Sequence, residues 1–181
     1  FEGTVMGHVV LLGDSIFDNR RYVPGGPDVV AQLRAALPKG WAATLCAVDG
    51  AVAADVPRQL PRVPAAATHL VVSVGGNDAL GSGGLVADTS RSAADGFAAL
   101  ADAQAEFRRD YRAALTAVRA VGKPTVVCTV YDAVPGLPAA ARTGLAAFND
   151  VIVREAVAAG LPVLDLRAVC DQKADYSELS P

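Results

Sequence analysis

Ser15 stands at the end of a short apolar run, Val9-Val10-Leu11-Leu12, directly behind Gly13 and Asp14. Asn77 holds the equivalent place behind a second run, Leu70-Val71-Val72-Ser73-Val74, after Gly75 and Gly76 and before Asp78. A serine hydroxyl attacks a carbonyl once a base removes its proton. The tetrahedral oxyanion that results needs preorganised donors close by. Ser15 brings a hydroxyl and an N–H, and Asn77 brings a carboxamide. Asp49-Gly50 forms a third polar corner, where glycine lets the backbone approach a ligand closely. Ester hydrolysis is the chemistry this set suits, with Ser15 as nucleophile and the N–H of Ser15, the N–H of Gly50 and the Asn77 amide as oxyanion donors. Gly-Asp-Ser alone is an ordinary turn or helix cap; its pairing with Gly-Gly-Asn-Asp gives the reading its force.

Such corners must be held by a rigid scaffold, and the surrounding pattern predicts one. Five short runs read as strands: His8 to Leu12, Ala42 to Val48, His69 to Val74, Thr125 to Tyr131 and Pro162 to Leu166. They are continuous apolar stretches, as expected for a sheet covered on both faces. Between them, Asp28 to Leu37, Ala51 to Leu60, Ser92 to Val121 and Ala139 to Ala159 read as helices. The third is long, with Gly96 as a candidate break, and carries a stripe of Leu100, Phe107, Tyr111, Leu115 and Val118 at helical spacing. Pro27-Asp28, Gly122 with Pro124, and Gly160 with Pro162 fall where helices should start or stop. Alternating strands and helices predict an α/β fold with a parallel sheet between two helical layers. Ligands in such sheets bind at the carboxyl ends of the strands. Gly13-Asp14-Ser15, Asp49-Gly50, Gly75-Gly76-Asn77-Asp78 and Asp132 all follow strands, so all are expected on one edge. The glycine-rich stretch Gly81-Ser82-Gly83-Gly84 reads equally as a cleft wall or a surface connection.

Composition narrows the classes. With 181 residues, 52% hydrophobic and 19% charged, the chain is expected to form one globular domain, residues 1–181. A net charge of −3 without a basic block argues against nucleic acid as a partner. No apolar run nears the roughly 20 residues that span a bilayer. Residues 1–5 lack the features of a secretory signal, and Met6 is the expected native start, which makes 1–5 a foreign leader and the protein cytoplasmic. The alternative is a secreted protein whose signal has been removed. Three cysteines, Cys46, Cys128 and Cys170, form no Cys-x-x-Cys pair and read as free thiols. Two histidines far apart, with no ligand spacing, point to no metal, and no cofactor motif is present. A dinucleotide fingerprint or Walker lysine is missing after the first strand.

These residues carry a resemblance. Leu12-Gly13-Asp14-Ser15-Ile16-Phe17-Asp18-Asn19 resembles the first block of the SGNH hydrolases, the GDSL esterase/lipase family, and Val74-Gly75-Gly76-Asn77-Asp78 resembles their third. Asp49-Gly50 is similar to the glycine block. The resemblance implies a three-layer α/β/α, flavodoxin-like fold with a five-stranded parallel sheet. It implies a serine esterase acting on a small or medium acyl ester, with Ser15 as nucleophile and first oxyanion donor and Gly50 and Asn77 as the others. The family's fourth block, Asp-x-x-His, has its nearest analogue in Asp175-Tyr176-Ser177-Glu178, without histidine. This departure resembles a subgroup in which a short Glu-Pro-Ser-like segment follows, so the native chain is expected to continue past Pro181.

The base is therefore the open part of the site. His8 and His69 begin strands whose far ends carry Ser15 and Asn77. At about 3.3 Å per residue, each imidazole is expected about 20 Å from the chemistry, whereas a general base works within about 3 Å. The carboxylates Asp175, Glu178, Asp14, Asp78 and Asp132 remain, with Asp175 first by family position. A solvated carboxylate, which ordinarily titrates near pH ~4, is a weak base for serine. The alternative function is a family member that binds an acyl or carbohydrate ligand without turnover.

Overall fold

The runs of Val and Leu form strands because both of their faces are covered. The computed structural model describes residues 6–82 and 92–176. The expected leader 1–5, residues 83 and 84 of the glycine-rich stretch, and Ser177 and Glu178 of the fourth block lie outside the described residues. In chain order the elements are β1 (His8–Gly13), α1 (Val29–Ala36), β2 (Ala42–Leu45), α2 (Val56–Gln59), β3 (His69–Ser73), α3 (Gly76–Gly81), α4 (Ala93–Ala120), β4 (Thr125–Cys128), α5 (Ala139–Ala158), β5 (Val163–Leu164) and α6 (Leu166–Val169). The strands form one parallel sheet in the order β2-β1-β3-β4-β5. That is the flavodoxin-type order, whose topological switch point lies between β1 and β3.

Alternate residues of each strand serve opposite layers. Val10, Leu12, Leu70, Val72 and Val127 pack with Val56 of α2, with Phe107, Tyr111, Leu115 and Val118 of α4, and with Val151 and Ile152 of α5. Val9, Leu11, Ala43 and Cys128 pack on the other face with Phe17, Val30 of α1 and Leu166 of α6. Full burial of each large apolar side chain contributes about 1.5–3 kcal/mol. Across α4 and α5, Glu155 is gripped by Arg108 Nε at 2.7 Å and Arg112 Nε at 2.8 Å.

Several details differ from the sequence reading. The strand expected from Pro162 to Leu166 is only Val163–Leu164, because the Asp165 side chain accepts the Arg167 N–H and caps a helix that Leu166 opens. Helix α4 runs unbroken through Gly96, because Gly96 lies in its first turn, where the Ser92 hydroxyl caps the Asp95 N–H. Such a cap offsets the roughly 1 kcal/mol helical cost of glycine. The segment expected as a helix from Ala51 to Leu60 is instead a four-residue helix, α2, between the 3₁₀ turns Ala53–Asp55 and Leu60–Arg62. Pro57 and Pro61 explain this, since a proline nitrogen cannot donate to a helical ladder. Strands β2 and β4 stop three residues early, at Leu45 and Cys128. Beyond β2, the N–H groups of Cys46 and Ala47 both donate to Leu11 O, which breaks the register before Val48 N–H reaches Gly13 O; beyond β4, Val130 N–H donates to the side chain of Asn149.

Candidate active site

The exit of β1 sets the position of Ser15. Gly13 pairs with Ser73 of β3 and adopts φ +126°, and a Cβ there would lie 1.7 Å from Ser73 O. Only glycine fits so tight a crossing. The next residue, Asp14, donates its N–H to Ser73 O at 3.0 Å and turns its carboxyl inward. That carboxyl accepts the N–H of Ile16 at 3.0 Å and lies close to Gly76 at the exit of β3, beneath the surface. Burial raises its pKa to about 7; the Ile16 N–H opposes the rise and the nearby Asp78 charge adds to it. Ser15 is half-buried above this floor, and among the described residues neither its N–H nor its Oγ has a hydrogen-bond partner.

The exit of β2 lies beside it and is tied from both sides. Toward β1, the Asp18 carboxylate accepts the Asp49 N–H at 2.9 Å. The Asp49 carboxylate in turn accepts from Tyr22 Oη at 3.1 Å and Arg21 at 3.3 Å. Toward β3, Asn77 Nδ2 donates to Ala51 O at 2.9 Å, and the Asp78 carboxylate accepts the Ala53 N–H at 3.1 Å. Burial raises Asp78 to about 6, against the pull of the Ala53 N–H. Gly50 sits between these ties, exposed, at φ +82°, and its N–H is unpaired among the described residues. A carboxamide nitrogen carries two protons. Asn77 spends one on Ala51 O and keeps a second for a ligand.

The structure thus gathers Ser15, Gly50 and Asn77 into one hydrogen-bonded edge at the switch point. It does not join Asp175 to them. Asp175 is exposed, and its Oδ2 accepts the Gln172 N–H at 2.8 Å within a 3₁₀ turn of its own. The neighbouring Tyr176 ring stands edge-on to Tyr131 at 5.1 Å, which sets this turn beside the exit of β4. The histidines begin β1 and β3 at the opposite edge. His8 Nε2 is bonded to Thr44 Oγ1, His69 Nδ1 to Thr68 Oγ1, and the His69 ring stacks on Trp41.

Sequence reasoning missed two supports. One is the Asp18–Asp49–Tyr22 tie, which pairs residues too far apart in sequence to suggest each other. The other is Gln59, whose buried amide bonds both backbone groups of Gly13, Oε1 from the N–H at 2.8 Å and Nε2 to the carbonyl at 2.7 Å. Its signal was present: Gln59 lies three residues from Val56, on the apolar side of its helix. A surface groove lies elsewhere, between α4 and α5, and is lined by Arg108, Arg112 and Arg154 among others. Among the described residues no group of three or more His, Cys, Asp or Glu could hold a metal, and no helix is long and apolar enough to cross a membrane.

The chain is similar to known proteins in family and in fold. The sequence model of the GDSL-like lipase/acylhydrolase family matches residues 11–180. Among solved structures, the extracellular lipase of Streptomyces rimosus is 20% identical with a TM-score of 0.67, covering 91% of this chain and 82% of that one. Phospholipase A1 of Streptomyces albidoflavus is 22% identical with a TM-score of 0.68, covering 92% and 82%. The SGNH-hydrolase family esterase AlinE4 is 20% identical with a TM-score of 0.67, covering 97% and 85%. At these identities the likeness is one of fold. No curated protein sequence matches the chain significantly.

Proposed function

Because the chain belongs to the GDSL-like lipase/acylhydrolase family, we propose that it is a serine esterase that hydrolyses a small or medium acyl ester through an acyl-enzyme on Ser15. Ser15 Oγ attacks the ester carbonyl and its proton passes to a carboxylate base; Asp175 is the residue proposed by family position, and it would have to leave the Gln172 N–H and its own turn to reach Ser15. The carbonyl oxygen takes up the electron pair and meets the N–H of Ser15, the N–H of Gly50 and the free proton of Asn77. Collapse breaks the bond to the alcohol, which leaves with the proton. Water then repeats the addition on the acyl-enzyme, releasing the carboxylic acid and restoring Ser15. The observation that carries this reading is the cross-tied edge, where, among the described residues, two backbone N–H groups are unpaired beside an amide anchored by only one of its protons. Fixed donors of this kind need no reorganisation as charge develops.

A second reading, a module that binds an acyl or carbohydrate ligand without turnover, is favoured by one feature: Asp175 is exposed and already bonded to Gln172 N–H. A fluorophosphonate probe separates the two. The esterase labels covalently at Ser15, located by peptide mass, and Ser15→Ala neither labels nor hydrolyses p-nitrophenyl butyrate. An unlabelled, folded parent chain means the binding module.

A further inference from the structure

We infer that Gln59 is a positioning residue for Ser15, its carboxamide standing in for the strand that β1 lacks at its exit. The inference rests on the esterase reading. Strand β2 pairs with β1 only from His8↔Ala42 to Leu11↔Leu45. Two residues further on, Gly13 faces β3 on one side and has no strand on the other. Gln59 fills that side. Its Oε1 accepts the Gly13 N–H at 2.8 Å and its Nε2 donates to Gly13 O at 2.7 Å, the two bonds that one rung of a sheet would supply. The Gly13 carbonyl also accepts the Val48 N–H at 3.0 Å, so the same rung holds the start of the loop that carries Gly50.

Gln59 is 3% exposed and directs both polar atoms of its side chain to this one residue. Ser15 follows Gly13 by two residues and, among the described residues, has no hydrogen bond of its own to fix it. The direction of its N–H and Oγ therefore depends on the Gly13 peptide planes. Asn149 performs the same operation at the exit of β4, where it accepts the Val130 N–H and donates to Val130 O, both at 2.8 Å. It is equally buried but serves the strand two places across the sheet, and so it is an internal control for the mere loss of two buried bonds.

The test compares Gln59→Leu with Asn149→Leu in the full chain. Both lower the thermal midpoint. Misplacement of a reacting group by about 1 Å costs on the order of a hundredfold, so Gln59→Leu is expected to slow fluorophosphonate labelling of Ser15 and kcat by about ten- to a hundredfold with KM held within about threefold. Asn149→Leu leaves labelling within about threefold. Equal slowing by both variants, or parental labelling in folded Gln59→Leu, overturns the inference.

Should Gln59→Leu fail to fold, Gln59→Glu replaces it. A protonated carboxyl can both accept from the Gly13 N–H and donate to its carbonyl, whereas a carboxylate can only accept. The labelling rate of Gln59→Glu relative to the parent should therefore rise as pH falls from about 8 to 5, and a flat ratio overturns the inference. A parent chain that never labels refutes the esterase reading instead. The Gly13 and Asp14 amides then decide the matter by hydrogen exchange: selective loss of protection in Gln59→Glu, unmatched in Asn149→Leu, supports the clamp, and unchanged protection overturns it.

Discussion

Asn77→Ala is the perturbation that most directly probes the oxyanion site. In the parent, one Nδ2 proton is committed to Ala51 O at 2.9 Å and the other is free for substrate. Truncation removes both, and the two losses differ in kind. Loss of the free proton matters only when the carbonyl oxygen becomes charged, so it falls on kcat. An oxyanion donor is worth about 2.7–4 kcal/mol, or roughly a hundred- to thousandfold in turnover. Loss of the tether to Ala51 acts before any substrate arrives. One net hydrogen bond is worth about 0.5–1.5 kcal/mol, and it should appear as a lower urea midpoint. The Asp78 bond to Ala53 N–H persists and keeps the loop attached to β3. The assay is hydrolysis of p-nitrophenyl butyrate under saturating and subsaturating conditions, with urea unfolding on the same preparations. The expected result is a kcat reduced at least a hundredfold, KM changed less than about threefold, and a modest loss of stability. A loss confined to KM would make Asn77 a ground-state binding group. An unchanged kcat would refute the oxyanion role.

The remaining predictions follow from the two edges of the sheet and from the buried acids. The double variant His8→Gln, His69→Gln should keep most of the parental kcat/KM when circular dichroism shows it folded; loss of turnover would give a strand-start imidazole a part in the chemistry. Asp14 has its pKa raised by burial from 3.8 to about 7. The folded state therefore holds this proton more tightly than the unfolded state, and the resulting stability is complete below about pH 4 and lost as pH rises through about 7. Thermal midpoints should fall across that window and fall less in Asp14→Asn; Asp78, raised to about 6, acts in the same direction. Glu155 has the opposite sign, because Arg112 and Arg108 lower its pKa from 4.5 to about 2. Its contribution is present above pH 4.5 and lost as pH falls through about 2, so Glu155→Gln should flatten the acid limb of the stability curve.

The sequence by itself determined the layers and the edge. Continuous Val and Leu runs can be buried on both faces only in a covered parallel sheet, and a parallel sheet sends every strand's carboxyl end to the same side. The placement of Ser15, Gly50 and Asn77 on one edge, with His8 and His69 on the other, follows from that alone. The gross helices were legible for the same reason, since apolar residues recur along α4 at the spacing of its turns. Tertiary structure alone decided where strands stop and what holds the corners. Strand β2 stops early where Cys46 and Ala47 N–H both find Leu11 O, and β4 where Val130 N–H finds Asn149, partners that no local pattern announces. Prolines at 57 and 61 hinted at a broken helix, but only the packed chain shows that Gln59 turns inward to Gly13. The same holds for Asp18 on Asp49 and Asn77 on Ala51. A hydrogen bond between residues dozens of positions apart depends on atomic distances set by the packing of several elements at once, whereas hydrophobic periodicity is written one turn or one pleat at a time.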